Sequence, residues 1–498
     1  MLATPERSRW LALVVLCVGM LMIVLDVTVV NVALPSIQRD LHFSQANLAW
    51  VVNAYLLTFG GLLLLAGRMG DLFSRRRVFL VGLAIFTVAS LLCGIAQTQA
   101  MLIAARFLQG LGGAMTSAVI LGMIVTMFPD PRDQAKAIGV FSFVASAGGS
   151  IGLLAGGLVT QALNWHWIFF INLPVGVATA MWASRLLPRD RGRGLVGGAD
   201  VTGAVLITGG LMLAVYAIVK PAAEYGWTAT QTLVAIGAAV TVLTAFVVRQ
   251  ATARNPLIPL GILHSRNLAG TNAIQMLTVP AMFGMFFLGS LYLQRVLGYD
   301  ALHIGLAFLP LTVLMGTLSL GFTDRLTIRF GARNTLICGF LLVAAGLAVL
   351  TQLPVRGAYM TDILPAVILF GIGAGIAFPA LMTLAMSGAT PDNAGLASGL
   401  VNTTAQIGGA LGLAVLATLA STRTHQLALS GQSPATALTQ GYRLAFLIAL
   451  GLIAVAIAMA AVVLRHSPQI ENNSAREPEG SPDVLPGVET PDLLVPCG

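Results

Sequence analysis

The side chains with the most chemistry to offer are an acid and a base set in apolar surroundings. The run from Leu11 to Pro35 reads LALVVLCVGMLMIVLDVTVVNVALP, so Asp26 interrupts a stretch otherwise fit to cross a bilayer, with Thr28 and Asn31 just beyond. Roughly twenty apolar residues span the hydrocarbon as a helix, and a charge near the centre costs about 2.5–3.5 kcal/mol on insertion scales. A carboxyl kept in such a place binds and releases a proton, pairs with a cation, or joins two helices. Arg106 is its counterpart, inside the apolar run 101–127. A guanidinium there needs an anion or carbonyls around it, or it snorkels to water from the helix end. If the two meet, burial disfavours the ionised acid while the fixed positive charge favours it, and a proton can be exchanged between these states.

These two residues need a membrane to hold them. The chain has 498 residues, 57% hydrophobic and only 9% charged, far below the roughly 25% charge of soluble domains. Fourteen apolar runs follow one another, from 11–35 to 442–464. The expected architecture is therefore an all-α, multi-pass membrane protein. The net charge of +8 does not point to nucleic acid, because the basic residues punctuate the gaps between apolar runs. With the N-terminus cytoplasmic, the outer gaps hold only Arg39, Lys220, Arg295, Arg356, Arg423 and Arg443. Arg106 lies in a span, and the rest of the 27 Lys and Arg fall on the inner side. That asymmetry places both termini in the cytoplasm. The first run follows Arg7 and Arg9 but is too long for a signal peptide and has no obvious small-residue cleavage site. Cys17, Cys93, Cys338 and Cys497 suggest neither a disulfide framework nor a metal site.

Two inner gaps look alike. GRMGDLFSRRR, Gly67 to Arg77, and GFTDRLTIRFGAR, Gly321 to Arg333, each place Gly, then Asp, then spaced Arg between apolar runs. Such symmetry suggests two halves of six spans with spans seven and eight inserted. The expected division is a cytoplasmic N-terminus (1–10), an N-terminal six-helix bundle (11–187) and a cytoplasmic linker (188–199). An inserted helix pair (200–249), a C-terminal six-helix bundle (250–464) and a disordered cytoplasmic tail (465–498) follow.

Several motifs occur in an order that resembles the major facilitator superfamily, and within it the fourteen-helix drug:proton antiporters of the EmrB/QacA type. LDVTVVNVALP (Leu25 to Pro35) resembles the group's first-helix motif, and LIAARFLQGLGGAM (Leu102 to Met115) its fourth-helix motif, with Arg106, Gln109 and Gly110 in register. The Gly67–Arg77 gap resembles the superfamily loop motif at Gly67, Asp71 and Arg75, although Ser74 replaces a second Gly and Leu72 a basic residue. GGSIGLLAGGL resembles the fifth-helix antiporter motif, with Gly152-Leu153 where that pattern has Gly-Pro. WHWIFFINLPVG (Trp165 to Gly176), Asp200–Gly203 and LASGLVNTTAQIGGALG (Leu396 to Gly412) resemble features of the fourteen-helix group. His166, where Arg is common, is expected as a solvated imidazole at the outer interface.

The resemblance implies a major-facilitator-type fold and proton-driven export of lipophilic or monocationic drug-like compounds by alternating access. Asp26 and Arg106 would couple protons. Gly67, Asp71, Arg75, Asp324 and Arg325 would form conformational latches at the cytoplasmic gates. Asn31, Asn53, Tyr55, Gln109, Gln275, Met276, Asn402 and Gln406 are candidates for the substrate cavity between the halves. Gly148, Gly152 and Gly156, spaced i, i+4, form a face for close helix packing. No cofactor or metal is implied. The expected partners are a small amphipathic substrate, the proton and membrane lipids; the protein acts as a monomer, with or without a periplasmic adaptor, in the cell membrane.

Other readings keep less support. An endogenous cargo, such as a self-made antibiotic, a siderophore or a lipid, fits the same fold. A polytopic membrane enzyme would cluster its catalytic residues, whereas His42, His166, His264, His303, His425 and His466 are scattered. A sensor would carry a folded output domain, for which the tail is too short and polar. No phosphate-binding loop supports ATP-driven transport.

Overall fold

The computed structural model describes residues 5–188, 190, 200–258, 261, 265–387 and 394–464. The tail, residues 465–498, and most of the linker 188–199 lie outside the described residues, as do the side chains of Asp71 and Asp324. The N-terminal half holds α1 (Pro5–Asp40), α2 (Gln45–Leu72), α3 (Arg75–Gly94), α4 (Gln99–Met127), α5 (Pro131–Ala162), α6 (Trp167–Phe170) and α7 (Asn172–Leu186). The inserted segment holds α8 (Val201–Val219), α9 (Pro221–Tyr225) and α10 (Thr230–Thr252). The C-terminal half holds α11 (Arg266–Arg295), α12 (Ala301–Gly321), α13 (Thr323–Phe330), α14 (Ala332–Leu350), α15 (Leu364–Met386), α16 (Ala394–Leu429) and α17 (Pro434–Val463). Among the described residues, thirteen helices are long and apolar enough to cross a membrane. The 32-residue α5 is also long enough to cross, and ends in the shorter apolar stretch Ile151–Ala162.

Local chemistry marks where these helices begin. Ser44, Ser74, Thr98, Asp200, Ser265, Asp300 and Ser433 each accept a hydrogen bond from the backbone N–H three residues on. Each such cap satisfies a donor that the helix cannot, worth about 1 kcal/mol. Several helices outrun the apolar windows: α1 passes through Pro35 to Asp40, and α16 continues to Leu429. Hydropathy sees only the part in hydrocarbon, while the backbone continues wherever its hydrogen bonds can.

The halves repeat. In the first, α1 packs on α5 and α7, α4 on α2 and α3, and α3 on α7; in the second, α11 packs on α16 and α17, α15 on α12 and α14, and α14 on α17. The halves meet chiefly along two seams, α2 with α16 and α5 with α12, with α1 also touching α11 and α12. Small residues allow the approach: a Cβ on Gly60 would strike Gln406, and one on Gly157 or Gly305 would strike backbone across the second seam. The repeated loops confirm the symmetry at atomic level. Arg76, second residue of α3, donates to the carbonyl of Ser184 near the end of α7; Arg333, second residue of α14, donates to those of Ala460 and Ala461 near the end of α17.

Of the inserted helices, α8 rests on both α2 and α16, while α10 packs on α8 and exposes Leu233, Val234, Val240, Val247 and Val248. Asp200 clasps this pair at its base. Its carboxylate accepts from Gly203 N (2.9 Å), Arg249 Nε (3.1 Å) and Gln250 Nε2 (2.9 Å), and Gln250 Oε1 accepts from Ile258 N (3.0 Å). Burial acts to raise the Asp200 pKa, but the hydrogen bonds from Gly203, Gln250 and Arg249 outweigh it and hold the carboxyl below its ordinary value. A depressed folded-state pKa contributes stability above the unfolded value, about 3.9, which is lost as pH falls through the folded one. Asp200→Ala should therefore lower the melting temperature at pH 7, by the equivalent of about 1–2 kcal/mol. The gap to wild type should shrink below about pH 4. A gap that persists to lower pH would assign the effect to shape rather than charge.

Candidate functional site

Asp26 and Arg106 meet inside the N-terminal half, both buried, with Arg106 Nη1 2.5 Å from Asp26 Oδ2. Gln109 Nε2 donates to Asp26 Oδ1 at 2.7 Å, and Asn172 Nδ2 approaches the same oxygen at 3.4 Å. The acid of α1 is thus held by donors from α4 and α7. Arg106 divides its own donors: Nη1 also reaches Gln109 Oε1 (2.6 Å), and Nε donates to the carbonyl of Val51 on α2 (2.9 Å). Its guanidinium carbon lies 4.5 Å from the centre of the Tyr55 ring, a cation–π contact. Gln109 Nε2 and Asn172 Nδ2 both reach Ser90 Oγ on α3. A buried ion pair costs less when its remaining lone pairs and protons are satisfied, as here.

Close helix approach makes this arrangement possible. A Cβ on Gly110 would strike the carbonyl of Tyr55, and one on Gly112 would strike the backbone of Gly82 and Phe86, so α4 lies tight between α2 and α3. The α5 stripe presses on α1 around the acid: Gly148 meets Leu21 and Val24, Gly152 meets Thr28, and Gly156 meets the backbone of Val29. Leu153, in the place of the expected proline, puts its carbonyl against Gly305 of α12.

The other expected residues sort differently. Arg106 does not snorkel: only 1% of it is exposed. Gln109, expected to line the cavity, is buried and bonded within the ion-pair cluster. Asn31 donates to the Val27 carbonyl of its own helix. Asn53 and Gln275 are buried, with neither Asn53 side-chain atom nor Gln275 Oε1 bonded. Met276 lies against Gly408, Gln406 against Gly60, and Asn402 is exposed. His166 is not simply solvated: its ring stacks on Trp165, with Nδ1 2.9 Å from the Gly94 carbonyl and Nε2 3.7 Å from Asp40. In the first loop, Gly67 has only an ordinary 4.0 Å neighbour, while Gly70 is the crowded glycine, against Val119. Arg75 binds the Gly122 carbonyl and Thr126 Oγ1 on α4, and Arg325 is exposed.

Sequence reasoning missed Ser90, Asn172 and Asp190. Asn172 was visible as an amide in an apolar motif; Asp190 carried no local signal. Its carboxylate accepts from Ser74 Oγ (2.5 Å), Arg75 N (2.6 Å) and Arg76 N (3.3 Å), closing the start of α3. Burial opposes ionisation there, but these hydrogen bonds hold its pKa below the ordinary value.

Two pseudo-symmetric six-helix bundles, one of them holding a buried ion pair, define a secondary-transporter architecture. The chain belongs to the Major Facilitator Superfamily, whose description it matches over residues 16–413. It is 39% identical to the puromycin resistance protein pur8 of Streptomyces alboniger, over 97% of this chain and 95% of that one. It is also 39% identical to the cephamycin export protein CmcT of Amycolatopsis lactamdurans, over 83% of this chain and 85% of that one. Among solved structures, a bacterial homologue of the human lysosomal transporter Spinster, inward-facing and unoccupied, matches with a TM-score of 0.64 at 16% identity. That match covers 92% of this chain and 97% of that one.

Breaking this pair from one side strands a charge. Asp26→Ala should destabilise the purified protein by about 3–5 kcal/mol, and Asp26→Leu with Arg106→Leu by clearly less. Thermal melting of the single and double variants tests this; strictly additive losses would mean that the two charges are not coupled.

Proposed function

We propose that the chain is a proton-coupled exporter of small amphipathic compounds, neutral or singly positive, working by alternating access in the cell membrane with both termini cytoplasmic. The carrying observation is the division of Arg106 between Asp26 on α1 and the Val51 carbonyl with the Tyr55 ring on α2. A proton on Asp26 removes the charge that holds Arg106 and loosens α1 from α4; loss of the proton restores the clamp. Protonation thereby becomes a change in helix packing, and the glycine stripe of α5 carries movement of α1 toward the α12 seam. Efflux results if Asp26 meets the outer side in one state and the inner side in the other.

Cargo between the halves would meet uncharged groups. Asn53 lies seven residues from Gly60 on the α2 face toward α16, where Thr403 and Gln406 sit, and Gln275 adjoins Gly408 from α11. Unbonded buried amides and hydroxyls can accept varied polar edges of a lipophilic molecule, and Met276 adapts its shape. The positive inner gaps support the orientation. We assign Arg75, with Asp190, to a latch that holds α3 on α4 as the bundle rocks; Gly67, Asp71, Asp324 and Arg325 remain assigned to such latches by motif. Relatives named for puromycin resistance and cephamycin export support an antibiotic-like cargo. Because each bears one compound's name, export of a single natural product is the second reading.

In proteoliposomes with an imposed pH gradient, Asp26→Asn should lose gradient-driven efflux across a panel of amphipathic antibiotics. Full-rate efflux by that variant would remove the coupling role. Arg106→Lys keeps the charge but not the fork to Asp26, Gln109 and Val51, so coupling should fall more than expression; unchanged transport would reduce Arg106 to packing. Efflux of many unrelated compounds favours the first cargo reading, and of one compound the second.

A further inference from the structure

The two repeated loops treat their arginines differently. In the first half, Arg75 and Arg76 are engaged with backbone and hydroxyl groups of α4 and α7. In the second, Arg333 and Arg266 close the end of α17 through the carbonyls of Ala460, Ala461 and Val462. Between α12 and α14, however, stands α13, whose sequence TDRLTIRF presents Arg325 and Arg329 outward. One face is anchored: Thr323 is buried and its Oγ1 donates to the carbonyls of Leu318 and Gly375, both at 3.0 Å. The opposite face carries unusual exposure for a polar loop helix, with Ile328 74% and Phe322 57% exposed; Phe330, 53% exposed, closes the helix beside Arg329, which lies 5.3 Å from its ring.

Because α13 links two membrane-crossing helices directly, it lies where they leave the hydrocarbon. We infer that this face of α13 is a contact site for anionic phospholipid, the headgroup phosphate engaging Arg325 and Arg329 while Ile328 and Phe322 enter the acyl boundary. Apolar side chains alone would suit any lipid; two outward guanidiniums flanked by them select negative headgroups. The chain's own tail, residues 465–498, carries Glu471, Glu477, Glu479, Asp483, Glu489 and Asp492. It is the competing occupant, but α13's place at the boundary favours lipid.

The test uses the full chain with Ile328→Cys bearing an environment-sensitive fluorophore, in a background with Cys338→Ser and Cys497→Ser, in nanodiscs of phosphatidylcholine with increasing phosphatidylglycerol. Emission should shift to the blue as phosphatidylglycerol rises. Adding Arg325→Gln and Arg329→Gln should move the half-effect to roughly tenfold or more higher phosphatidylglycerol, from two surface charges. Identical emission in neutral and anionic discs, or a titration unchanged by the double substitution, would overturn the proposal. A blue shift already present in phosphatidylcholine and abolished by deleting residues 466–498 would overturn it too, giving the face to the tail.

Discussion

A buried guanidinium can be held only by groups that repay its desolvation, and in this protein that requirement organises a whole bundle. Arg106 draws on a carboxylate from α1, an amide from its own helix, a backbone carbonyl from α2 and the face of a tyrosine. All but the amide come from elements that must approach closely, so glycines line α4 and α5 where those elements meet. Energy and geometry are thus linked: the helices are close because the charge must be satisfied, and the charge is tolerable because they are close.

The same arrangement supplies a reason for motion. An ion pair sealed among three helices is stable only while both partners keep their charge. In the proposed cycle, a proton arriving at the acid would change the balance between α1 and α2 as owners of Arg106. The glycine contacts of α5 with α1, and of Leu153 with Gly305, lie next to that balance and extend to the seam between halves. A short packed path therefore runs from the ion pair to the interface between the halves.

The symmetry of the two halves is deep in some places and abandoned in others. Helix pairing repeats, and Arg76 and Arg333 do the same work on α7 and α17. The ion pair has no counterpart among the described buried side chains of the second half, whose buried polar groups are neutral. One bundle carries the charge chemistry; the other offers neutral polar groups and, at α13, an outward cationic face.

The sequence alone was enough to establish the membrane architecture, because hydropathy is a local property that survives without coordinates. Asp26 and Arg106 were legible for the same reason, each being costly where it stands. The glycine spacing of α5 was legible as a face, though not which helix it met. Tertiary structure decided what distance along the chain conceals. Asp26 and Arg106 are 80 positions apart and Ser74 and Asp190 are 116 apart, and nothing local in either member names its partner. It also showed that Gln109 bonds the ion pair, since only packing tells which neighbour a buried amide faces. It showed too that the arginines of two similar loops are spent differently, because hydrogen-bond partners are set by which helix ends lie within reach.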